Sequence, residues 1–177
     1  MDDVQESCEI FMNGADLAKS ISDSRMSKMW DKENTSALRI LIVDDVAVNR
    51  KLLQLMLSRL GYGSNMVTNG KEAVEALAIQ PYDLIFMDLQ MPILDGLRAA
   101  QTIRENLAGK PQPYIIAITA YADRFDRETC KNAGMDDYIT KPATLNDIRE
   151  ALKSAKIRMK KKGLYRYDEK TMVDGIY

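Results

Sequence analysis

Leu38-Arg39-Ile40-Leu41-Ile42-Val43-Asp44-Asp45 is the stretch that decides the fold. An apolar run, broken only by Arg39, goes straight into two adjacent carboxylates. A strand with one face in water alternates apolar and polar residues, whereas a strand covered on both faces is apolar throughout. The run therefore predicts a buried strand that meets solvent at the acidic pair. The construction recurs: Tyr82 to Met87 runs into Asp88, and Tyr114 to Ile118 runs into Thr119. Shorter strands are expected at Tyr62 to Val67 and around Tyr138-Ile139, just before Lys141-Pro142.

Helical spacing fills the gaps between these runs. After the acidic pair, Asn49, Leu52, Leu53, Met56 and Leu60 follow one buried stripe, with Gly61 just past the end. Further helices are expected over about 71–79, 96–106 and 124–133, the last ended by Gly134. An amphipathic final helix carries Leu145, Ile148, Leu152 and Ala155. Five strand–helix units with continuously apolar strands predict an α/β fold, a doubly wound five-stranded parallel sheet with helices on both faces.

The charges mark where this domain lies. Residues 1–36 are net acidic, residues 37–156 are balanced, and the final residues from 157 are net basic. All five prolines lie in the balanced part. The expected organisation is a mostly flexible leader over 1–36, the domain over 37–158 and a basic, aromatic tail over 159–177. The formal net charge of −1 argues against bulk nucleic-acid binding, which needs a strong basic field. No apolar run reaches the length of a membrane span, and the acidic start lacks a signal-peptide layout. Two cysteines, Cys8 and Cys130, offer neither a disulfide framework nor paired metal-ligand spacing, so a reducing, cytoplasmic setting is expected. The absence of histidine excludes histidine-based triads and metal sites.

The polar residues fall where the chemistry of such a sheet belongs. In an open parallel sheet, ligands bind at the carboxyl ends of the strands, beside the switch in strand order. Asp44, Asp45, Asp88, Thr119 and Lys141 all end strands, so they should converge on one site. Three crowded carboxylates repel one another, and a hard divalent cation relieves that repulsion. Mg²⁺ is the expected cofactor, with Mn²⁺ as a substitute. A lysine and a hydroxyl beside the acids suit a phosphoryl group held against a metal. Each residue alone has an ordinary explanation, such as a helix N-cap for an aspartate after a strand. It is the full set, in order, that the ordinary explanations do not cover.

The chain resembles the receiver domain of two-component response regulators over about residues 38–158. The resemblance rests on Leu41-Ile42-Val43-Asp44-Asp45, on Asp88-Leu89-Gln90-Met91-Pro92-Ile93-Leu94-Asp95-Gly96, on Thr119-Ala120 and on Tyr138-Ile139-Thr140-Lys141-Pro142. It implies the flavodoxin-like strand order 2-1-3-4-5. It also implies that Asp88 accepts a phosphoryl group from a phosphohistidine and loses it slowly by itself. Asp45 would be the direct metal ligand, Asp44 would act through water, and Gln90 would add its backbone carbonyl. Thr119 and Lys141 would hold the phosphoryl group, with the Lys141–Pro142 bond cis. Thr119 and Tyr138 would form the switch that remodels the face of the fourth helix, fifth strand and fifth helix. That face is also a candidate dimerisation surface.

Rival readings differ at single residues. A phosphatase of the haloacid-dehalogenase type needs a second carboxylate two residues past its aspartate nucleophile, and Gln90 stands there. A flavin- or nucleotide-binding protein needs a glycine-rich phosphate cradle after the first strand, and Asp44-Asp45-Val46-Ala47 is acidic instead. Two branches stay open, a stand-alone response regulator and the receiver of a hybrid sensor kinase or phosphorelay. Asn49-Arg50 and Gly134-Met135-Asp136-Asp137-Tyr138 resemble the second. The expected partner is then a histidine kinase or histidine-phosphotransfer protein, with no nucleic-acid or membrane contact. Val48 and Leu55, with Lys51 between them, fall outside the buried stripe of the first helix. They are a candidate docking face for a partner helix, or simply scattered surface hydrophobics.

Overall fold

The computed structural model describes residues 38–120 and 127–161. The leader, most of the tail, Cys8 and the expected first residues of the fourth helix lie outside the described residues. The elements alternate without exception: β1 (Ile40–Val43), α1 (Ala47–Arg59), β2 (Ser64–Val67), α2 (Gly70–Ile79), β3 (Leu84–Asp88), α3 (Gly96–Asn106), β4 (Tyr114–Thr119), α4 (Arg127–Asn132), β5 (Asp137–Thr140) and α5 (Leu145–Lys161). The five strands are parallel in the order β2-β1-β3-β4-β5, as the resemblance implied. Among the described residues no helix is long and apolar enough to cross a membrane.

Successive strand residues serve opposite faces. Ile40 and Ile42 of β1, Leu84 and Phe86 of β3, and Ile116 and Ile118 of β4 pack with Leu53 and Leu57 of α1 and with Ile148, Leu152 and Ala155 of α5. Leu41, Val43, Ile85, Met87, Ile115 and Ala117 point the other way, onto Ala73 and Ala76 of α2, Ala99, Ala100 and Ile103 of α3, and Cys130 of α4. This two-sided burial is why the strands read as unbroken apolar runs. Asn69 caps α2 by accepting from the Glu72 amide at 3.0 Å, and Asp95 caps α3 by accepting from the Arg98 amide at 2.8 Å. Gly61 and Gly134, at φ +84° and +86°, turn the chain after α1 and α4.

The stripe expected on α1 needs one correction. Leu53 is buried, while Met56 and Leu60 pack partly against the core. Leu52, however, is 51% exposed, and the fully buried Leu57 takes its place. Leu57 lies four residues past Leu53, so the pair forms one ridge that α5 covers. Leu52 lies a step around the helix, on the side of Val48 and Leu55.

At the end of the sheet away from the acidic residues, Arg104 of α3 is nearly enclosed. Its guanidinium donates to the carbonyls of Gly134 and Pro113, each at 2.8 Å, to Gln112 Oε1 at 3.1 Å and to Asp136 Oδ2 at 2.8 Å. Asp136 Oδ2 also accepts from the Ile115 amide at 2.9 Å. Burial pulls the Arg104 pKa down, and Asp136 opposes that fall. The group thus ties α3, the start of β4 and the turn before β5 together.

Candidate active site

The register fixes which residues meet. Val43 pairs with Met87, Asp88 with Ile118, and Thr119 with Thr140, so the strands finish side by side. Asp44, Asp45, Asp88, Thr119 and Lys141 therefore emerge at one edge. Asp88 and Asp44 are 7% and 5% exposed, Thr119 is buried, and Asp45 stands open. One oxygen from each of Asp44, Asp45 and Asp88 lies within 4.8 Å of the others. A set of hard carboxylate oxygens at this spacing fits Mg²⁺ or Mn²⁺.

Lys141 bridges the two buried acids. Its Nζ donates to Asp88 Oδ2 at 2.6 Å and to Asp44 Oδ2 at 2.8 Å. Its backbone N–H donates to the Thr119 carbonyl at 2.7 Å, which locks β5's exit onto β4. The Lys141–Pro142 peptide bond is cis. Burial pushes the Asp88 carboxyl above its ordinary range, and the hydrogen bond and charge of Lys141 offset this only in part. On Lys141, burial acts downward, but the hydrogen bonds and charges of Asp44 and Asp88 together outweigh it and raise the ammonium's pKa.

The loop after β3 is held from several sides. The Gln90 amide donates to Asp88 Oδ1 at 3.2 Å. The Gly96 amide donates to the Leu89 carbonyl at 3.1 Å, and the Gly70 amide of α2 donates to the Leu94 carbonyl at 3.1 Å. A Cβ on Gly96 would collide with the Asp88 carbonyl oxygen, so α3 starts hard against the backbone of the buried aspartate. Between these anchors Ile93 sits at φ +70°, a strained value for a β-branched residue, and is 78% exposed.

Tyr138 of β5 is half-buried against the α2–α3 side of the core. The Arg127 guanidinium of α4 lies 5.0 Å from its ring centroid, a contact the sequence did not signal. The sequence did carry a signal for two further residues. Asn49 is a polar residue in an otherwise apolar stripe, and such a residue needs a partner. Asn49 Nδ2 donates to Asp44 Oδ1 and Oδ2, both at 3.2 Å, and Arg50 Nη1 donates to the Asp44 carbonyl at 2.6 Å. Val48, Lys51 and Leu55 lie on the exposed side of α1. Val48 is 74% and Leu55 52% exposed, and Leu52 extends the same apolar strip.

A parallel sheet in this strand order, ending in an acidic triad of which one lysine bridges the two buried members, defines a receiver of two-component signalling. The chain belongs to the response regulator receiver domain family, whose profile matches residues 40–153. It is 38% identical over 124 residues to hybrid signal transduction histidine kinase K of Dictyostelium discoideum, covering 67% of this chain and 10% of that protein. The chain thus spans only about a tenth of the length of that kinase. The receiver domain of a sensor histidine kinase from Pseudomonas aeruginosa, crystallised with magnesium coordinated in its active site cleft, is similar at TM-score 0.61 and 39% identity. That match covers 67% of this chain and 97% of the other. The co-crystal structure of a Saccharomyces cerevisiae histidine phosphotransfer protein with the receiver domain of its downstream response regulator matches at TM-score 0.65 and 29% identity, over 70% of this chain and 91% of that one.

Proposed function

We propose that the domain accepts a phosphoryl group on Asp88 from a phosphohistidine of a histidine kinase or histidine-phosphotransfer protein. The observation that carries this is Lys141 Nζ held at 2.6 Å from a buried aspartate beside two further carboxylates. An Asp88 carboxylate oxygen forms the new bond to phosphorus while the phosphorus–nitrogen bond of the donor breaks. The leaving imidazole takes a proton from solvent. Lys141 transfers its hydrogen bond from the carboxylate to the incoming phosphoryl oxygen. Thr119 supplies its hydroxyl at the end of β4. Asp45, Asp88 and the Gln90 carbonyl would hold Mg²⁺, with Asp44 acting through water. The metal would supply positive charge against the oxygens of the transferring group.

The receiver of a hybrid kinase or phosphorelay is the favoured branch, because receivers of hybrid kinases recur among the relatives. Its donor docks on α1, where Val48, Leu52 and Leu55 make an uncharged strip beside the site, flanked by Lys51. Thr119 and Tyr138 carry the switch, and the α4–β5–α5 face is the output and candidate dimer surface. Incubation with acetyl phosphate, with and without Mg²⁺, tests the core of this. Label that is labile to both acid and alkali should map to Asp88, and it should vanish in Asp88→Asn and without metal. Undiminished labelling of Asp88→Asn would refute the assignment.

A further inference from the structure

The pair Asn49-Arg50 has no part in phosphoryl transfer, yet both side chains close on Asp44. An ionised carboxylate has about four acceptor positions. On Asp44 they are filled. Oδ1 accepts from the Val46 amide at 2.8 Å and from Asn49 at 3.2 Å; Oδ2 accepts from Asn49 at 3.2 Å and from Lys141 at 2.8 Å. Asp45, one residue on, is exposed, and among the described residues no hydrogen bond to its carboxylate is seen. Adjacent acids are therefore unequal: one carboxylate is open to direct ligation, and the other is held by protein donors, so that it reaches a cation only through a water that takes the place of one of these hydrogen bonds.

We infer that Asn49 is a positioning residue that sets metal selectivity by keeping Asp44 from direct ligation. This rests on the reading of the acidic triad as a divalent-cation site. Mg²⁺ takes one or two carboxylates and keeps several waters in a strict octahedron. Ca²⁺ takes six to eight oxygens in looser geometry and gains from each added carboxylate. With Asp44 straddled by the Asn49 amide, the site offers few protein oxygens and suits Mg²⁺. Without that amide, Asp44 has two open acceptor positions and joins the ligand set, which suits Ca²⁺. Arg50 has a different task. It holds the Asp44 carbonyl, and so the backbone carrying both acids, without touching the carboxylate.

Calorimetric titration of the full chain with Mg²⁺ alone and with Ca²⁺ alone tests this. Asn49→Ala should raise the ratio of Ca²⁺ to Mg²⁺ affinity by about tenfold, a scale typical of residues that orient metal ligands. Asn49→Ser, which keeps one donor, should fall between. In an Asp44→Asn background, Asn49→Ala should leave the ratio unchanged, because the residue acts only through that carboxylate. Arg50→Ala should weaken both ions alike. An unchanged ratio in Asn49→Ala, or the same rise in the Asp44→Asn background, overturns the inference while the cation reading stands. If the wild-type chain binds neither ion, the cation reading fails and takes this inference with it.

Discussion

Replacing Lys141 with methionine removes one cation from between two buried anions. Each contact, at 2.6 and 2.8 Å, represents about 6 kcal/mol of attraction at an effective dielectric of ~20. Desolvation of the three groups cancels much of this, and breaking a buried pair by deleting one partner typically costs about 3–5 kcal/mol. Lys141 keeps 23% of its side chain exposed, which favours the lower end. A loss of about 3 kcal/mol corresponds to a fall in Tm of ~10 °C for a domain of this size. Urea melts of wild type and Lys141→Met in EDTA should show that gap. In Mg²⁺ the gap should shrink to less than half, because a bound cation neutralises the same carboxylates in the variant. The pH dependence has a fixed sign. The folded-state pKa of Lys141 is raised above 10.5, so its contribution is complete at neutral pH. It is lost only as pH climbs through the raised value. Wild type should therefore lose more stability than Lys141→Met above about pH 10.5. Equal gaps in EDTA and Mg²⁺, with no difference in alkali, would refute the bridging role.

Asp45→Ala should weaken Mg²⁺ more than Asp44→Ala in calorimetry; equal affinities for both variants and wild type would refute the division of labour. Asp45→Ala should also stabilise the metal-free fold, whereas Asp44→Ala should destabilise it by leaving the Val46 and Asn49 donors without their acceptor, as paired thermal melts in EDTA would read. Gly96→Ala should cost about 3 kcal/mol, because the new Cβ meets backbone and not a yielding side chain; a urea midpoint at the wild-type value would contradict the close approach. Val48→Ser combined with Leu52→Ser and Leu55→Ser should slow transfer from a histidine-phosphotransfer protein at least several-fold, while acetyl phosphate labels at the wild-type rate. Equal losses with both donors would place the strip in the fold, and no loss would make it idle surface.

The three central strands, β1, β3 and β4, were legible because both their faces are buried. Leu41 and Ile42 belong to opposite cores, so no polar residue interrupts β1. The gathering of Asp44, Asp88, Thr119 and Lys141 followed from strand-end positions, which a parallel register converts into proximity. Leu52 was misplaced because it lies at the margin of the α1 stripe, where spacing cannot say which edge α5 covers. The choice was made by the packing of Leu57. The saturation of Asp44 was only half visible. A polar Asn49 in the stripe announced that a partner was needed, but not that its amide would straddle both oxygens of one carboxylate. Pairing of Arg127 with Tyr138, and the enclosure of Arg104, are contacts between separate elements that no local pattern encodes.

Arg104 gives the fifth strand a fulcrum. Asp136, at the strand's entrance, is fastened to α3 and to the Ile115 amide, while Lys141, at its exit, is tied by its amide to the Thr119 carbonyl and by its ammonium to Asp44 and Asp88, and phosphorylation of Asp88 would rearrange the ammonium's ties. A short beam pinned at one end moves most at the other. Displacement begun at Asp88 would then be largest at Thr140 and Pro142 and smallest at Asp136, which would send a signal sideways toward the α4 and α5 surfaces and not down through the floor of the sheet. Amide exchange would show it directly: on phosphorylation, protection should change at Thr140 and Lys141 and stay constant at Ile115 and Asp136, and a uniform change along β5 would mean the strand shifts as a whole.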